Sequence, residues 1–252
     1  MPHIDIATGA KLHYVSLMPE GTPRGIVIAV HGFLGTAETN LGRVMRWLQG
    51  LGYHVLGPTL RGYGESQPKP RDFPLKFYRR DAEDVIAFMD ALNIEKAHLL
   101  GYSDGGEVVL TVAGLAPARA QSAAVWGAVG YFGPLMRPYI QRMYPPHWMT
   151  EEDCQRHGIA HKEAFVLAWI RAMKYYLDSG GDVSLSLAPK ISAPLLMMLG
   201  KADKLNPAEY AEVYLERVKH GELKLFDCGH AVHDEQWEAF CAAVEAHLTA
   251  SA

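Results

Sequence analysis

The chain has 252 residues, of which 49% are hydrophobic and 21% are charged, and its formal net charge is −4 at pH 7. This composition is typical of a soluble protein with one large core, and the lack of a basic excess argues against nucleic acid as a partner. No apolar run reaches the length of a membrane span, and the first residues carry no signal segment, so we expect a soluble, cytoplasmic protein without a membrane partner.

Cysteine and histidine spacing argues against a disulfide scaffold and against a metal site. The three cysteines form neither an even framework nor a C-x-x-C pair, which indicates free thiols in a reducing compartment. They are Cys154, Cys228 and Cys241. No histidine between residues 131 and 187 is paired with carboxylates at metal-ligand spacing. We therefore predict no metal and no cofactor.

Short apolar runs alternate with helix-compatible segments, which predicts a mostly parallel sheet flanked by helices. The alternating segment Lys11–Leu17 predicts an edge hairpin, and Ile26–Val30 predicts a strand buried on both faces. Apolar spacing predicts helices over 38–48, 77–92, 107–116, 207–218 and 235–248. It predicts strands over 53–56, 97–100, 122–126, 194–199 and 223–226.

The alternation stops between residues 131 and 187, a segment that contains nine aromatic residues and four prolines. This composition predicts helices joined by irregular turns. Two interpretations stay open: a lid inserted over the active site, or a satellite core built from the aromatic residues. We predict a core formed by residues 1–130 and 188–252, with 131–187 as a helical lid.

The sequence GYSDGG at residues 101–106 lies between a predicted strand and a predicted helix, which is the setting of a nucleophile elbow. Such a turn strains the backbone at the serine, and only small flanking residues let strand and helix approach closely. Backbone N–H groups at the start of the helix point to where an oxyanion would form. Ser103 is therefore the predicted nucleophile.

A serine nucleophile needs a histidine base, which a carboxylate orients. Asp203 and His230 each follow a late predicted strand, so both should lie at the same sheet edge as Ser103. The order Ser103, Asp203, His230 is the order expected of an α/β-hydrolase. Two alternatives are a helix-capping or turn role for Asp203 and a rival base at His233.

The sequence HGFLG at residues 31–35 predicts the second half of an oxyanion hole. Gly32 permits a tight turn, so that the Phe33 N–H can act together with the Asp104 N–H, with the Leu34 N–H as the alternative donor. An ordinary glycine turn after a strand is the competing interpretation.

Residues 61–106 read RGYGESQPKPRDFPLKFYRRDAEDVIAFMDALNIEKAHLLGYSDGG and closely resemble the biphenyl hydrolase-like proteins, also called valacyclovir hydrolases. The resemblance continues through residues 125–128, 200–207 and 229–230, and so covers most of the chain outside 131–187. It implies an α/β-hydrolase fold with a helical lid and hydrolysis of α-amino acid esters.

The resemblance also implies roles for two residues near the nucleophile. Asp104 would bind the α-ammonium group of the substrate, although a carboxylate favoured by the helix dipole would explain it too. Leu205 matches a pocket position, with simple packing as the alternative. The chain departs from the family at Thr59, where an aspartate is usual, and through the segment 131–187.

Together these observations predict a serine esterase that cleaves a small-molecule carboxylic ester through an acyl-enzyme on Ser103. The same fold and triad also serve carbon–carbon bond hydrolases and lyases, and a ligand sensor with slow turnover is a further alternative. The sequence leaves the physiological substrate, the stereochemical preference and the oligomeric state open.

Overall fold

A computed structural model describes residues 2–251, and these residues form one eight-stranded sheet with helices on both faces. The apolar runs of the sequence are its central strands. The strands are β1 (His3–Asp5), β2 (Lys11–Leu17), β3 (Ile26–Val30), β4 (His54–Pro58), β5 (Ala97–Tyr102), β6 (Ala120–Trp126), β7 (Leu195–Gly200) and β8 (Gly221–Phe226).

The strand order is β1-β2-β4-β3-β5-β6-β7-β8. The pairs β1–β2 and β2–β4 are antiparallel, whereas every pair from β4 to β8 is parallel. The prediction of a mostly parallel sheet flanked by helices is confirmed. Because parallel strands end at one common edge, the loops that follow β3, β5, β7 and β8 meet there.

The helices lie between the strands and after β8. They are α1 (Ala37–Gly50), α2 (Phe77–Ala91), α3 (Asp104–Leu115), α4 (Arg137–Gln141), α5 (Glu151–His157), α6 (Lys162–Asp178), α7 (Ala208–Leu215), α8 (Val232–Glu235) and α9 (Trp237–Ala250). Within residues 2–251, none of them combines the length and the apolar character that crossing a bilayer requires.

Alternating residues of each central strand pack into two separate hydrophobic cores. In β3, Ile28 and Val30 face a core that includes Phe88 of α2 and Val108 of α3. Val27 and Ala29 face the second core, which is built with α1 and α9. Both faces of the sheet are therefore covered, as the continuous apolar sequence of the parallel strands predicts.

Most predicted elements differ from the structure only at their ends. The predicted helix 235–248 corresponds to α9, which begins two residues later because Gln236, at φ −134° and ψ 49°, separates it from the short helix α8. Helix α3 begins at Asp104, three residues before the predicted start at 107. It begins there because the elbow leads directly from Ser103 into the helix.

Helices α4, α5 and α6 lie between β6 and β7, in the segment predicted to contain helices joined by irregular turns. We call residues 131–187 the insertion. Its apolar side chains, among them Phe165, Trp169 and Met173, are buried in the same core as α2 and α3. The division of the chain into a core and a lid stays a prediction.

A buried ion pair fixes the loop after β4 against α2. Arg71 donates to both carboxylate oxygens of Asp81, at 2.9 and 2.5 Å, and each side chain is only 1% exposed. The guanidinium also donates to the Arg61 carbonyl and lies over the rings of Tyr63 and Phe73. The pair stabilises the fold only while both partners are present, because an unpaired buried charge is costly.

Replacing Asp81 by alanine should lower the free energy of unfolding by about 3 to 5 kcal/mol, because the Arg71 guanidinium would stay buried without its carboxylate. Urea denaturation checks this. The matched control is Glu83→Ala on the same helix, since the Arg79–Glu83 pair is 54% and 47% exposed and should contribute less than about 1 kcal/mol. Equal losses in the two variants would contradict the proposed role of the buried pair.

Candidate active site

Ser103 occupies the sharp turn between β5 and α3. Its backbone has φ 55° and ψ −123°, a strained conformation for a residue with a side chain. A Cβ atom at Gly101 would lie 2.4 Å from the Gly105 carbonyl oxygen, and one at Gly105 would lie 2.2 Å from the Val30 oxygen. Only glycine fits at these two positions, as the elbow pattern predicts.

The structure brings His230 and Asp203 to Ser103 from two other strand ends. His230 follows β8, and its Nε2 lies 2.9 Å from the Ser103 hydroxyl oxygen. Asp203 follows β7, and its carboxylate lies 2.7 Å from His230 Nδ1. With Asp203 ionised, Nδ1–H donates to the carboxylate, so Nε2 is free to accept the serine proton. This is the geometry of a nucleophile, a base and an orienting acid.

Several donors besides His230 hold the Asp203 carboxylate. The backbone N–H groups of Leu205 and Asn206 donate to one oxygen at 2.9 and 3.2 Å, and the Asn206 amide donates to the other at 3.1 Å. Burial alone raises the pKa of Asp203, but the His230 interaction and these hydrogen bonds outweigh it, and the pKa lies below its ordinary value. The carboxylate is therefore ionised at neutral pH.

His233, the alternative base, is engaged elsewhere. It lies on α8 and is 3% exposed, and its Nδ1 accepts a hydrogen bond from the Trp126 indole N–H at 3.0 Å. Its ring packs between Tyr102 and Phe240. No hydrogen bond within residues 2–251 joins it to Ser103 or Asp203, so the geometry favours His230 as the base.

The loop after β3 lies directly against the nucleophile. A Cβ atom at Gly32 would come within 3.0 Å of the Ser103 Cβ, so the backbone of residues 32–35 borders the space above Ser103. Among the hydrogen bonds of residues 2–251, none is donated by the N–H of Phe33 or of Asp104. Both N–H groups are therefore available to an oxyanion. Leu34 lies in the same loop with a φ of 55°.

A cavity of about 300 Å³ opens beside Ser103. The sheet edge supplies part of its wall with Ser103, Asp104 and His230, and the insertion supplies Met136 and Trp169. Leu205 also lines the cavity, as the resemblance implies, while its N–H holds Asp203. The wall is mainly apolar, which is typical of small-molecule pockets.

Asp104 places a buried carboxylate in the cavity wall next to the nucleophile. Its oxygens accept hydrogen bonds from the Tyr78 hydroxyl at 2.6 Å and from the Trp169 indole N–H at 3.2 Å. Burial raises the pKa of Asp104 to about 6, a rise that these two bonds and the nearby Arg71 only partly offset. Neither hydrogen-bond donor carries a charge, so the ionised form lacks a directly bound cation.

Glu107 is a second buried carboxylate in the wall, one helical turn after Asp104. It accepts hydrogen bonds from the N–H groups of Val129 at 2.8 Å and Gly130 at 3.1 Å, and so holds the loop after β6. Burial raises its pKa to about 7. The cavity wall therefore contains two buried acids besides the Ser103 and His230 side chains.

Sequence reasoning missed several residues that complete the site. Tyr78, Trp169 and Asn206 bind the two key carboxylates, and Glu107 lines the cavity. Only Glu107 carried a signal, because a charged residue three positions after Asp104 in an apolar helix indicates a shared buried face. Asn206 lies only three residues after the Asp203 that it binds, whereas Tyr78 and Trp169 reach Asp104 from distant segments. Residues 2–251 contain no group of three or more histidine, cysteine or acidic side chains arranged to hold a metal ion.

Comparison with known proteins identifies relatives of the whole chain. A family model described as the alpha/beta hydrolase family matches residues 27–243. Serine hydrolase BPHL from Homo sapiens is 31% identical over 233 residues, which covers 89% of this chain and 78% of that protein. The resemblance to the biphenyl hydrolase-like proteins is thus confirmed.

Solved structures share the fold at lower identity. A meta-cleavage product hydrolase from Pseudomonas fluorescens has a TM-score of 0.74 at 21% identity, with 100% of this chain and 98% of that chain covered. An esterase from Thermogutta terrifontis has a TM-score of 0.73 at 21% identity, with 99% and 98% covered. These similarities confirm the alpha/beta hydrolase fold and say nothing further about the reaction.

Replacing Asp104 by asparagine should stabilise the folded protein at pH 8 and leave its stability unchanged below about pH 4. The raised pKa means that the folded protein binds this proton more tightly than the unfolded chain, so the carboxylate costs stability as the pH rises from 3.8 to about 6. At full burial the rise corresponds to roughly 3 kcal/mol. Thermal melts of the wild type and Asp104→Asn from pH 4 to 8 measure the difference in stability. A difference that stays constant over this pH range would contradict the raised pKa of Asp104.

Proposed function

The chain belongs to the alpha/beta hydrolase family, and on this premise we propose that it is a serine hydrolase that cleaves esters of α-amino acids. The hydrogen-bonded series Ser103, His230 and Asp203 supports the general reaction. The Asp104 carboxylate in the cavity wall is the observation that supports an amino acid ester as the substrate. The similarity to the human serine hydrolase agrees with the general reaction.

The proposed reaction proceeds through an acyl-enzyme. His230 Nε2 takes the hydroxyl proton while the Ser103 oxygen attacks the ester carbonyl, and the proton then passes to the departing alcohol. Water, deprotonated by the same nitrogen, attacks the acyl-enzyme and releases the acid. Asp203 keeps Nδ1 protonated throughout. The N–H groups of Phe33 and Asp104 would hold the oxyanion, each contributing on the order of 3 kcal/mol to the transition state.

Asp104 suits an α-ammonium group because of its position and its partners. It follows Ser103 directly, so its side chain lies near the carbon next to the reacting carbonyl. Its two donors, Tyr78 and Trp169, are neutral, and the Arg71 guanidinium is already bound by Asp81. A substrate cation would supply the counter-charge that the buried carboxylate lacks.

The rest of the cavity favours a compact, apolar acyl group. The insertion lines the wall with four apolar side chains, Phe132, Met136, Met143 and Met173. Methionine side chains adapt to different shapes, so the wall can accept more than one apolar amino acid side chain. A volume of about 300 Å³ is at the small end for ligand pockets, which matches an amino acid better than a long acyl chain.

Replacing Ser103 or His230 by alanine should lower kcat for a phenylalanine ester by about 10⁴-fold or more, because each removes a group that acts in bond formation. An organophosphonate should form one adduct on Ser103, visible by intact mass. The matched control is His233→Ala, which removes a neighbouring imidazole and should retain most of the activity. If His233→Ala loses the activity and His230→Ala keeps it, His233 is the base and the assignment to His230 is wrong. Turnover of a vinylogous diketone with none of the ester would instead support a carbon–carbon bond hydrolase.

The wild-type enzyme should prefer a phenylalanine ester over the deaminated ester by about ten- to a hundredfold in kcat/KM, since one charge-assisted contact is worth about 1.5 to 3 kcal/mol. Asp104→Asn should lose most of this preference, because it keeps the shape and removes the charge. The preference should increase as the pH rises through about 6, where Asp104 ionises, and decrease again once the substrate amine loses its proton.

The deaminated ester is the internal control for general damage to the enzyme. If Asp104→Asn lowers kcat/KM for both esters equally, Asp104 supports the site without recognising the amine. If the wild type has nearly equal kcat/KM values for the two esters, the preference for amino acid esters is contradicted and a general serine esterase is supported.

A further inference from the structure

Residues 32–35, the loop that would form the oxyanion hole, are hydrogen-bonded to two buried histidines. His31 Nδ1 lies 2.8 Å from the Gly32 carbonyl oxygen, and its Nε2 accepts the Leu60 N–H at 2.9 Å. His157 Nε2 lies 3.0 Å from the Leu34 carbonyl oxygen, and its Nδ1 accepts the Gly64 N–H at 2.9 Å. The loop is thus held at both of its ends.

These contacts fix the protonation of both rings. A backbone N–H can only donate, so the ring nitrogen that it binds must be unprotonated, and the other nitrogen carries the hydrogen that a carbonyl accepts. Each imidazole is therefore a neutral bridge from a backbone N–H of the segment 60–64 to a carbonyl of the oxyanion loop. Burial lowers the pKa of His157 to about 4, although the hydrogen bond to the Leu34 carbonyl raises it. Arg156 and Lys69 lower the pKa further, and Asp153 opposes them.

The two bridges act on either side of the Phe33 N–H. The Gly32 carbonyl belongs to the same planar peptide group as that N–H, so His31 sets its direction from the core side. Leu34 follows with a φ of 55°, a conformation that a leucine holds only when its surroundings impose it. Within the loop, the Gly35 N–H donates to the Gly32 carbonyl at 3.1 Å.

His157 reaches this loop from the insertion. It is the last residue of α5, it is fully buried, and its ring packs edge-on against Tyr63 at 5.1 Å between centroids. The contact joins residues that are 123 positions apart in the sequence. Part of the insertion is therefore hydrogen-bonded directly to the loop beside the nucleophile.

We propose that His157 is a positioning residue for ester hydrolysis, which holds the Leu34 carbonyl and thereby keeps the Phe33 N–H aimed at the oxyanion. The inference rests on the proposed function, because it requires an oxyanion at Ser103. A donor that is displaced by a fraction of an ångström stabilises the transition state less but leaves substrate binding almost unchanged. The effect therefore belongs in kcat, not in KM.

Two substitutions separate the two hydrogen bonds of this ring. In His157→Gln the side-chain amide reaches the position of Nε2 and can still donate to the Leu34 carbonyl. In His157→Asn the amide oxygen takes the position of Nδ1 and can accept the Gly64 N–H, but nothing reaches Leu34. Each variant loses one buried hydrogen bond, so a purely structural role predicts similar melting temperatures and similar kcat values for both.

The experiment measures kcat, KM and melting temperature on a phenylalanine ester at pH 7.5, a condition at which His157 is neutral. We expect His157→Gln to stay within about threefold of wild-type kcat, and His157→Asn to lose about ten- to a hundredfold with KM within about threefold. A boronic acid that forms a tetrahedral adduct on Ser103 should bind His157→Asn more weakly by a similar factor. His161→Asn, an exposed histidine on the same insertion, should match the wild type.

Equal kcat values in the Asn and Gln variants would overturn the proposal, whether both are reduced in step with the melting temperature or both match the wild type. His157→Phe keeps the ring packing against Tyr63 without either hydrogen bond, and a wild-type kcat in that variant would overturn it as well. Ser103→Ala in the same assay reports on the proposed function separately. If Ser103→Ala stays active, the proposed function fails, whereas a failure confined to the His157 variants concerns this inference alone.

Discussion

The close approach of β5 to α3 is the constraint on which the rest of the site depends. Gly101 lets the backbones of β5 and α3 touch, and Gly105 lets α3 touch the end of β3. The turn between these glycines holds Ser103 in a strained conformation worth about 1 to 3 kcal/mol. The surroundings maintain that strain, because the Ser103 N–H donates to the Trp126 carbonyl and the Ser103 carbonyl accepts from the Gly106 N–H, both at 2.8 Å. His230, the oxyanion loop and the cavity are all arranged around the position of this one hydroxyl.

Burial of acids is the second constraint, and it acts against stability. Asp104 and Glu107 lie in a mainly apolar wall, and burial raises the pKa of both carboxyl groups. A protein selected for stability alone would replace such groups with apolar residues. The N–H groups of the loop after β6 donate to the Glu107 carboxylate, so this buried acid holds the loop in place. Asp104 has only two neutral hydrogen-bond donors, so its ionised form lacks a directly bound cation.

Sequence patterns predicted the parts of the molecule that follow from local chemistry. The alternation of apolar runs with helical segments predicts the sheet, and the glycines around Ser103 predict the sharp turn. Because Asp203 and His230 each come just after a predicted strand, their positions at the sheet edge could be predicted too. Helix ends were less exact: α3 begins three residues before its predicted start, and the short helix α8 before Gln236 was not predicted. Tyr78 and Trp169 could not be predicted, since each acquires its role only when distant segments pack together.

The contacts that a sequence predicts least are those that the insertion makes with residues around Ser103. Trp169 reaches Asp104 from 65 residues away, and His157 reaches Leu34 from 123 residues away. Both come from the insertion, while the rest of the chain supplies Ser103, Asp203 and His230. A family can therefore keep one reaction and change its substrates by altering the insertion, because that segment shapes the cavity and orients the groups around the nucleophile without supplying the nucleophile itself.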